Sequence, residues 1–220
     1  MKKANKYRLK LVSEVVNTLK LKEDKYDSEN VAHENLLQDL WHTVFPEEKL
    51  SARKTKQWEK IGFQGEDPAT DFRAMGLLGL KLVTYFAKRC TAQVREVLKC
   101  DRGYPLSVSG INVAFQVYLM LTKSSNNNSS SGNGGNNPPA ALLMQQQQKS
   151  QQQTLTLSDS PLLLFISQLS WQYENIATPP NCSVKPKPLE DVFCAFCLLI
   201  DKVWVEQNAS YMQYSNVMNE

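Results

Sequence analysis

Three residues in one short polar stretch could do chemistry together: Asp67, Asp71 and Arg73. Two carboxylates at i and i+4 can share acid–base work. Here Pro68 lies between them and no partner site accompanies them, so capping a helix or turn is the stronger account. An arginine stays charged at every accessible pH, and its planar fork can hold two oxygens at once. Beside two aspartates that fork is either tied up as a structural ion pair or free to meet the oxygens of a phosphate. On the residues alone, the ion pair is the better reading.

Other chemistry is scarce. There is no Walker phosphate loop, no dinucleotide fingerprint, no HExxH and no GxSxG. His33 and His42 are scattered and give no convincing base for a serine or cysteine nucleophile. Cys194 and Cys197 have the spacing of a zinc or thiol-redox pair, but zinc needs four ligands and no second pair joins them. Helical spacing puts both sulfurs on one apolar face, as buried free thiols. The five cysteines, Cys90, Cys100, Cys182, Cys194 and Cys197, cannot all pair, which with no secretory signal points to reduced thiols. No metal and no cofactor of the chain's own is expected.

The elements that must position the polar stretch read as helices. Ser28-Glu29-Asn30-Val31 opens a helix with a plausible N-cap, and Leu36, Leu37, Leu40 and Trp41 mark one apolar face of that helix, which Phe45-Pro46 ends. Leu50–Lys60 reads as a short basic helix closed by Gly62. Gly62–Met75 has neither helical nor strand periodicity, and a loop of that kind between apolar helices is more often functional than ornamental. A long apolar helix begins at Gly76, and Gly76 and Gly79 imply close packing against another helix. Helices are predicted over Thr91–Lys99, Val108–Thr122 and Leu189–Gln207, and another follows Pro161, through Leu162, Phe165, Ile166, Leu169 and Trp171.

No strand ladder and no solenoid repeat is visible. The expected fold is all-α: a single helical bundle interrupted by an Asn/Ser/Gly/Gln-rich insertion at residues 124–153. That tract cannot bury enough apolar area to offset its chain entropy, so it is expected to be disordered, a tolerated surface insertion. Neither flank alone looks large enough for a comfortable core, so one interrupted domain over 28–220 is preferred, preceded by a basic helical segment at 1–27.

The 220 residues carry a formal charge of +3, too little for a nucleic-acid footprint, and no basic stripe interleaved with aromatics appears. The start has no apolar stretch of signal-peptide length, and the most apolar run, Val192–Ile200, is too short to span a bilayer. A cytoplasmic protein, peripheral at membranes through a partner, is the expectation.

The polar stretch itself narrows the reading. From Trp58 it runs Trp58-Glu-Lys-Ile-Gly62-Phe63-Gln64-Gly-Glu-Asp67-Pro68-Ala-Thr70-Asp71-Phe72-Arg73. This resembles the signature of the ELMO domain: a Trp, three residues, Gly-Phe-Gln, two residues, Asn or Asp, Pro, any residue, Thr-Asp, any residue, Arg. Every fixed position matches. Met75–Leu80 with Tyr85-Phe86-Ala87, Tyr104–Asn112 and Asp201–Trp204 are similar to later helices of that family, so the resemblance covers nearly the whole chain outside the insertion.

The resemblance implies regulation of small GTPases. Long members carry further domains and work with Dock proteins as Rac exchange factors, in cytoskeletal, migration and phagocytic pathways. Short members stimulate GTP hydrolysis by Arf-family GTPases. This chain has no room for the extra domains and keeps Arg73, which matches the proposed catalytic arginine of the short branch. The resemblance therefore implies a GTPase-activating protein whose partner brings GTP and Mg²⁺, with Arg73 as arginine finger. Trp58, Gly62, Phe63, Gln64, Asp67, Pro68, Thr70 and Asp71 would form the loop that presents it. The alternative is a non-catalytic interaction module that binds a GTPase or Dock-type partner.

Overall fold

The computed structural model describes residues 2–100, 103, 105–122, 166, 184–210, 213, 214 and 217, with side chains described from residue 10 onward. Among the described residues the regular structure is helical and no strand occurs. The α-helices are α1 (Lys2–Lys20), α2 (Val31–Val44), α3 (Gly76–Arg89), α4 (Thr91–Lys99), α5 (Leu106–Thr122) and α6 (Pro188–Glu206). Two 3-10 helices, Lys56–Ile61 and Pro68–Arg73, lie between α2 and α3. The expected insertion at 124–153 lies outside the described residues. So does the helix expected after Pro161, except Ile166, which is helical and buried.

Helix α3 is the axis of the bundle. Its sequence is apolar nearly all round, and Leu78, Leu80, Leu82, Val83, Phe86 and Ala87 are all buried. Such a helix must be surrounded, and α3 packs against α1, α2, α4, α5 and α6. Each of these side chains except the small Ala87 contributes about 2 kcal/mol relative to exposure. Helix α1 joins the same core through Leu11, Val15 and Leu19.

Before the motif loop, α2 keeps its expected ends and the next element departs from expectation. Within the expected opening Ser28–Val31 it is Asn30 that caps α2: its side chain accepts from Ala32 N at 2.9 Å. Helix α2 stops at Val44, with Phe45 already out of helical geometry ahead of Pro46. The basic helix expected over Leu50–Lys60 is instead a 3-10 helix starting at Lys56, because Thr55 caps there through its hydroxyl to Gln57 N. Residues 45–55 cross the surface as turns.

The two glycines at the start of α3 behave differently. Gly79 does approach another helix, with its Cβ position 3.6 Å from Ile111 of α5. Gly76 meets no helix. It takes φ +51° against the turn after α1, where an added Cβ would overlap the Asp24 carbonyl oxygen. The amides of Leu77 and Leu78 donate to Asp24 O (2.9 Å) and Leu21 O (3.2 Å), so this turn fills donors that the first turn of α3 leaves open.

Helix α6 is joined to α3 by a buried polar knot. Asp191 accepts from Tyr85 OH (2.8 Å) and from Arg89 Nε (3.0 Å). Cys194 and Cys197 are both buried free thiols on α6, as their spacing predicted. Burial pushes the Cys197 thiol well above its ordinary value. For Cys194 a hydrogen bond with Cys90 comes first and burial second, both in the same direction.

Candidate functional site

The motif loop is built on a chain of aromatic rings. Trp41 of α2 meets Trp58 edge-on at 5.4 Å, Trp58 meets Phe63 at 5.9 Å, and Phe63 meets Phe72 at 5.6 Å. Tyr26 closes the far end against Phe72 at 5.2 Å. Trp58, Phe63 and Phe72 are all fully or nearly fully buried. Edge-to-face pairs add about 1 kcal/mol each beyond area burial. The motif's aromatics are therefore an anchor row under the loop, and its polar residues lie above them.

Backbone geometry fixes the turns. Gly62 closes the first 3-10 helix at φ +83°, its amide bonding Glu59 O at 3.0 Å. Its Cα lies flat against the Pro105–Leu106 peptide, where a Cβ would overlap the Leu106 nitrogen. Val108 N donates to Gly62 O at 3.1 Å, so the loop is stitched to the start of α5. The Trp58 indole N–H donates to Arg53 O at 2.9 Å, and Thr55 N bonds Glu66 O at 3.0 Å, drawing the two ends of the loop together.

The stretch predicted to lack periodicity contains the second 3-10 helix; Asp67 caps it, while Asp71 lies within it and ties it to the preceding turn. Asp67 accepts from Ala69 N (3.1 Å) as N-cap, and Pro68 sits buried at the first helical position. Thr70 Oγ1 donates to Asp67 O at 2.9 Å. Asp71 accepts from Gln64 N at 2.9 Å, a bond that folds the Gly-Phe-Gln segment back onto the helix.

The ion pair expected for Arg73 belongs to another arginine. Arg53 donates from Nη1 to Asp67 Oδ1, from Nε to both Glu34 oxygens (3.1 and 3.2 Å), and from Nη2 to Glu34 Oε1 (3.0 Å). Tyr26 OH donates to the same Glu34 carboxylate. Lys54 adds a second, more exposed cation 3.1 Å from Asp67. Burial pushes the Asp67 carboxyl up. The Arg53 fork, the Ala69 amide and Lys54 together outweigh it and hold the group below the usual carboxylate range. Burial also works against the charge on Arg53, and its bonds to Glu34 and Asp67 raise it above its ordinary value. Tyr26 is raised by burial and then by Glu34.

Arg73 is exposed, and it makes no ion pair within 4.0 Å among the described residues. It ends the 3-10 helix directly after buried Phe72, so the ring anchors the backbone inward while the next side chain faces solvent. Its charge still reaches Asp71. Burial pushes the Asp71 carboxyl up, and the Gln64 amide and Arg73 offset only part of that rise. Gln64 and Thr70 are exposed beside it. The loop thus offers a rigidly backed guanidinium at its outer face.

Sequence reasoning brought together Trp58, Gly62, Phe63, Gln64, Asp67, Pro68, Thr70, Asp71 and Arg73, and the structure places all of them in this one loop. It missed Arg53, Glu34 and Tyr26. Glu34 comes from α2, Tyr26 from the segment before it and Arg53 from the connector after it, all separated from Asp67 in the chain, and no local pattern links them. The buried-aromatic run around Trp58 would have marked an anchor, but not its ionic partner.

The ELMO/CED-12 family model matches residues 16–218. ELMO domain-containing protein 2 of Homo sapiens is 45% identical over 100 residues, covering 44% of this chain and 34% of that protein. ELMO domain-containing protein B of Dictyostelium discoideum is 43% identical over 101 residues, 44% of this chain and 36% of that protein. ELMO domain-containing protein A of the same organism is 31% identical over 200 residues, 88% of this chain but 18% of that much longer protein. The matches thus take up about a third or less of these relatives' lengths. No solved structure matches the chain. Among the described residues no helix is long and apolar enough to cross a membrane, and no cluster of three or more metal-ligating side chains occurs.

Proposed function

The chain belongs to the ELMO/CED-12 family, and on that premise we propose that it stimulates GTP hydrolysis by a small GTPase of the Arf family, with Arg73 as the arginine supplied in trans. The observation that carries the proposal is the division of labour between two arginines. Arg53 takes the structural ion pair with Asp67 and Glu34, which leaves Arg73 exposed at the end of an anchored 3-10 helix. A finger residue needs both properties: a free guanidinium and a backbone that does not have to be ordered when the partner arrives.

The chemistry asks for no group beyond those two partners. As the bond to the γ-phosphoryl group breaks, negative charge gathers on the β–γ bridging oxygen and on the γ-phosphoryl oxygens. The guanidinium fork meets two of these oxygens together, which a lysine cannot reproduce. An arginine supplied in this way accelerates hydrolysis by about 10³–10⁵. GTP and Mg²⁺ belong to the GTPase. Gln64 and Thr70, exposed on the same loop, are placed to contact the GTPase surface beside the nucleotide.

The test is single-turnover hydrolysis by a panel of Arf-family and Rac-family GTPases, with and without the chain. Acceleration on an Arf-family member supports the reading. Binding to a GTPase or a Dock-type protein with no change in turnover on any member would favour the non-catalytic module instead.

A further inference from the structure

We propose that the cleft between the end of α2, the first 3-10 helix and α4 is a docking site for an acidic protein segment that carries a bulky apolar side chain. The cleft has a volume of about 590 Å³ and is lined by Val44, Phe45, Glu59, Lys60, Arg95, Leu98 and Lys99. That volume falls in the range of ligand-binding clefts. Val44, Phe45 and Leu98 supply an apolar floor, and Phe45 is backed at 4.8 Å by the ring of buried Trp41.

The rim has the opposite character. Lys60, Arg95 and Lys99 are all exposed cations, against Glu59 as the single carboxylate among the lining residues. Lys60 is already paired with Glu48 at 2.6 Å. Arg95 is the distinctive member. Its Nε donates to Val44 O (3.2 Å) and its Nη2 to Thr43 O (2.9 Å), which are carbonyls that the end of α2 leaves open. Those two bonds fix the plane of the guanidinium, while Nη1 makes no hydrogen bond among the described residues. A carboxylate arriving there meets a cation that is already oriented, so little side-chain entropy is lost on binding.

An apolar floor under a preset guanidinium selects for two features in one ligand. The apolar side chain of the occupant displaces water from Phe45 and Leu98, and its flanking carboxylates face Arg95 and Lys99. A basic or uncharged segment would gain only the first contact. Neither part involves Arg73 or a nucleotide, so the inference stands apart from the GTPase reading.

The test titrates the full ¹⁵N-labelled chain with the peptide acetyl-Glu-Asp-Leu-Phe-Asp-Glu-amide, with no GTPase present. The control peptide has Lys in place of every acidic residue. The expected result is saturable movement of the amide signals of Val44, Phe45, Leu98 and Lys99 with the acidic peptide alone. Lys99→Glu should weaken that binding by about tenfold, the scale set by reversing one partly exposed charge. Lys99→Ala, which leaves the helix end less disturbed, should weaken it by a smaller factor. Equal binding of the two peptides would overturn the proposal. So would signal movement confined to another face, no saturable movement at all, or unchanged affinity in both Lys99 variants with a native circular-dichroism spectrum.

Discussion

Replacing Arg53 by Met tests the claim that this arginine, and not Arg73, holds the motif loop. The substitution keeps the aliphatic stem and removes the fork that joins Glu34 to Asp67. Breaking a fully buried pair by removing one partner costs about 3–5 kcal/mol. Here the side chains of Arg53, Glu34 and Asp67 remain 26%, 15% and 25% exposed, so water takes up part of the loss. Each carboxylate also keeps another partner: Tyr26 for Glu34, the Ala69 amide and Lys54 for Asp67. The expected cost is therefore about 2 kcal/mol, which lowers Tm by roughly 6 °C in a chain of this length. Arg53→Lys keeps a charge but loses the bidentate geometry, and should fall near half that cost. Arg73→Ala, at an exposed position, should change stability by less than about 0.5 kcal/mol. Urea and thermal unfolding followed by circular dichroism measure all three. If Arg53→Met costs less than about 0.5 kcal/mol, or Arg73→Ala costs as much as Arg53→Met, the assignment of roles to the two arginines is wrong.

Three further outcomes are expected. Gly62→Ala combines a positive φ with an overlap against the Pro105–Leu106 backbone, so it should cost more than about 3 kcal/mol and show as loss of soluble folded protein. Asp191→Ala leaves Arg89 and Tyr85 without their shared acceptor between α3 and α6; the loss should be about 3 kcal/mol in a urea titration, against much less for the exposed pair Lys202–Glu206. Burial raises the carboxyl of Glu190 above its ordinary value, so the folded state holds that proton more tightly than the unfolded chain. The ionised group then weighs against folding at neutral pH, and the penalty is relieved as pH falls through the raised folded value toward the unfolded one. Glu190→Gln should accordingly be more stable than the parent at pH 7, with a difference that shrinks on acidification; a difference independent of pH would refute this.

Local rules carried the helices whose signals are local. Thr91–Lys99 forms with the predicted boundaries, and α2 stops where Phe45-Pro46 says it must. The 3-10 helices were not legible, because they depend on side-chain caps competing with periodicity: Thr55 for the first and Asp67 for the second. The role of Gly76 was misread for a related reason. Its neighbour is a turn after α1, brought close only by the tertiary fold. At the site, the motif residues were readable as a set only through the family resemblance, and of the two aspartates expected as caps Asp67 is one, while Asp71 sits inside the 3-10 helix and accepts from Gln64 N. The partner of Asp67 was not readable. Arg73 is near it in the chain, but Arg53 is positioned by the fold to reach both Asp67 and Glu34, and only the packing of α2 against the loop decides between them.

The role proposed for Arg73 is action on a GTPase and not on its own loop. Its most direct test is single-turnover GTP hydrolysis by an Arf-family GTPase with the parent chain, Arg73→Lys and Arg73→Ala, all of equal stability. The parent should accelerate hydrolysis, and both variants, lysine included, should lose that acceleration by about 10³-fold or more. Hydrolysis stimulated equally by Arg73→Ala and the parent would contradict it.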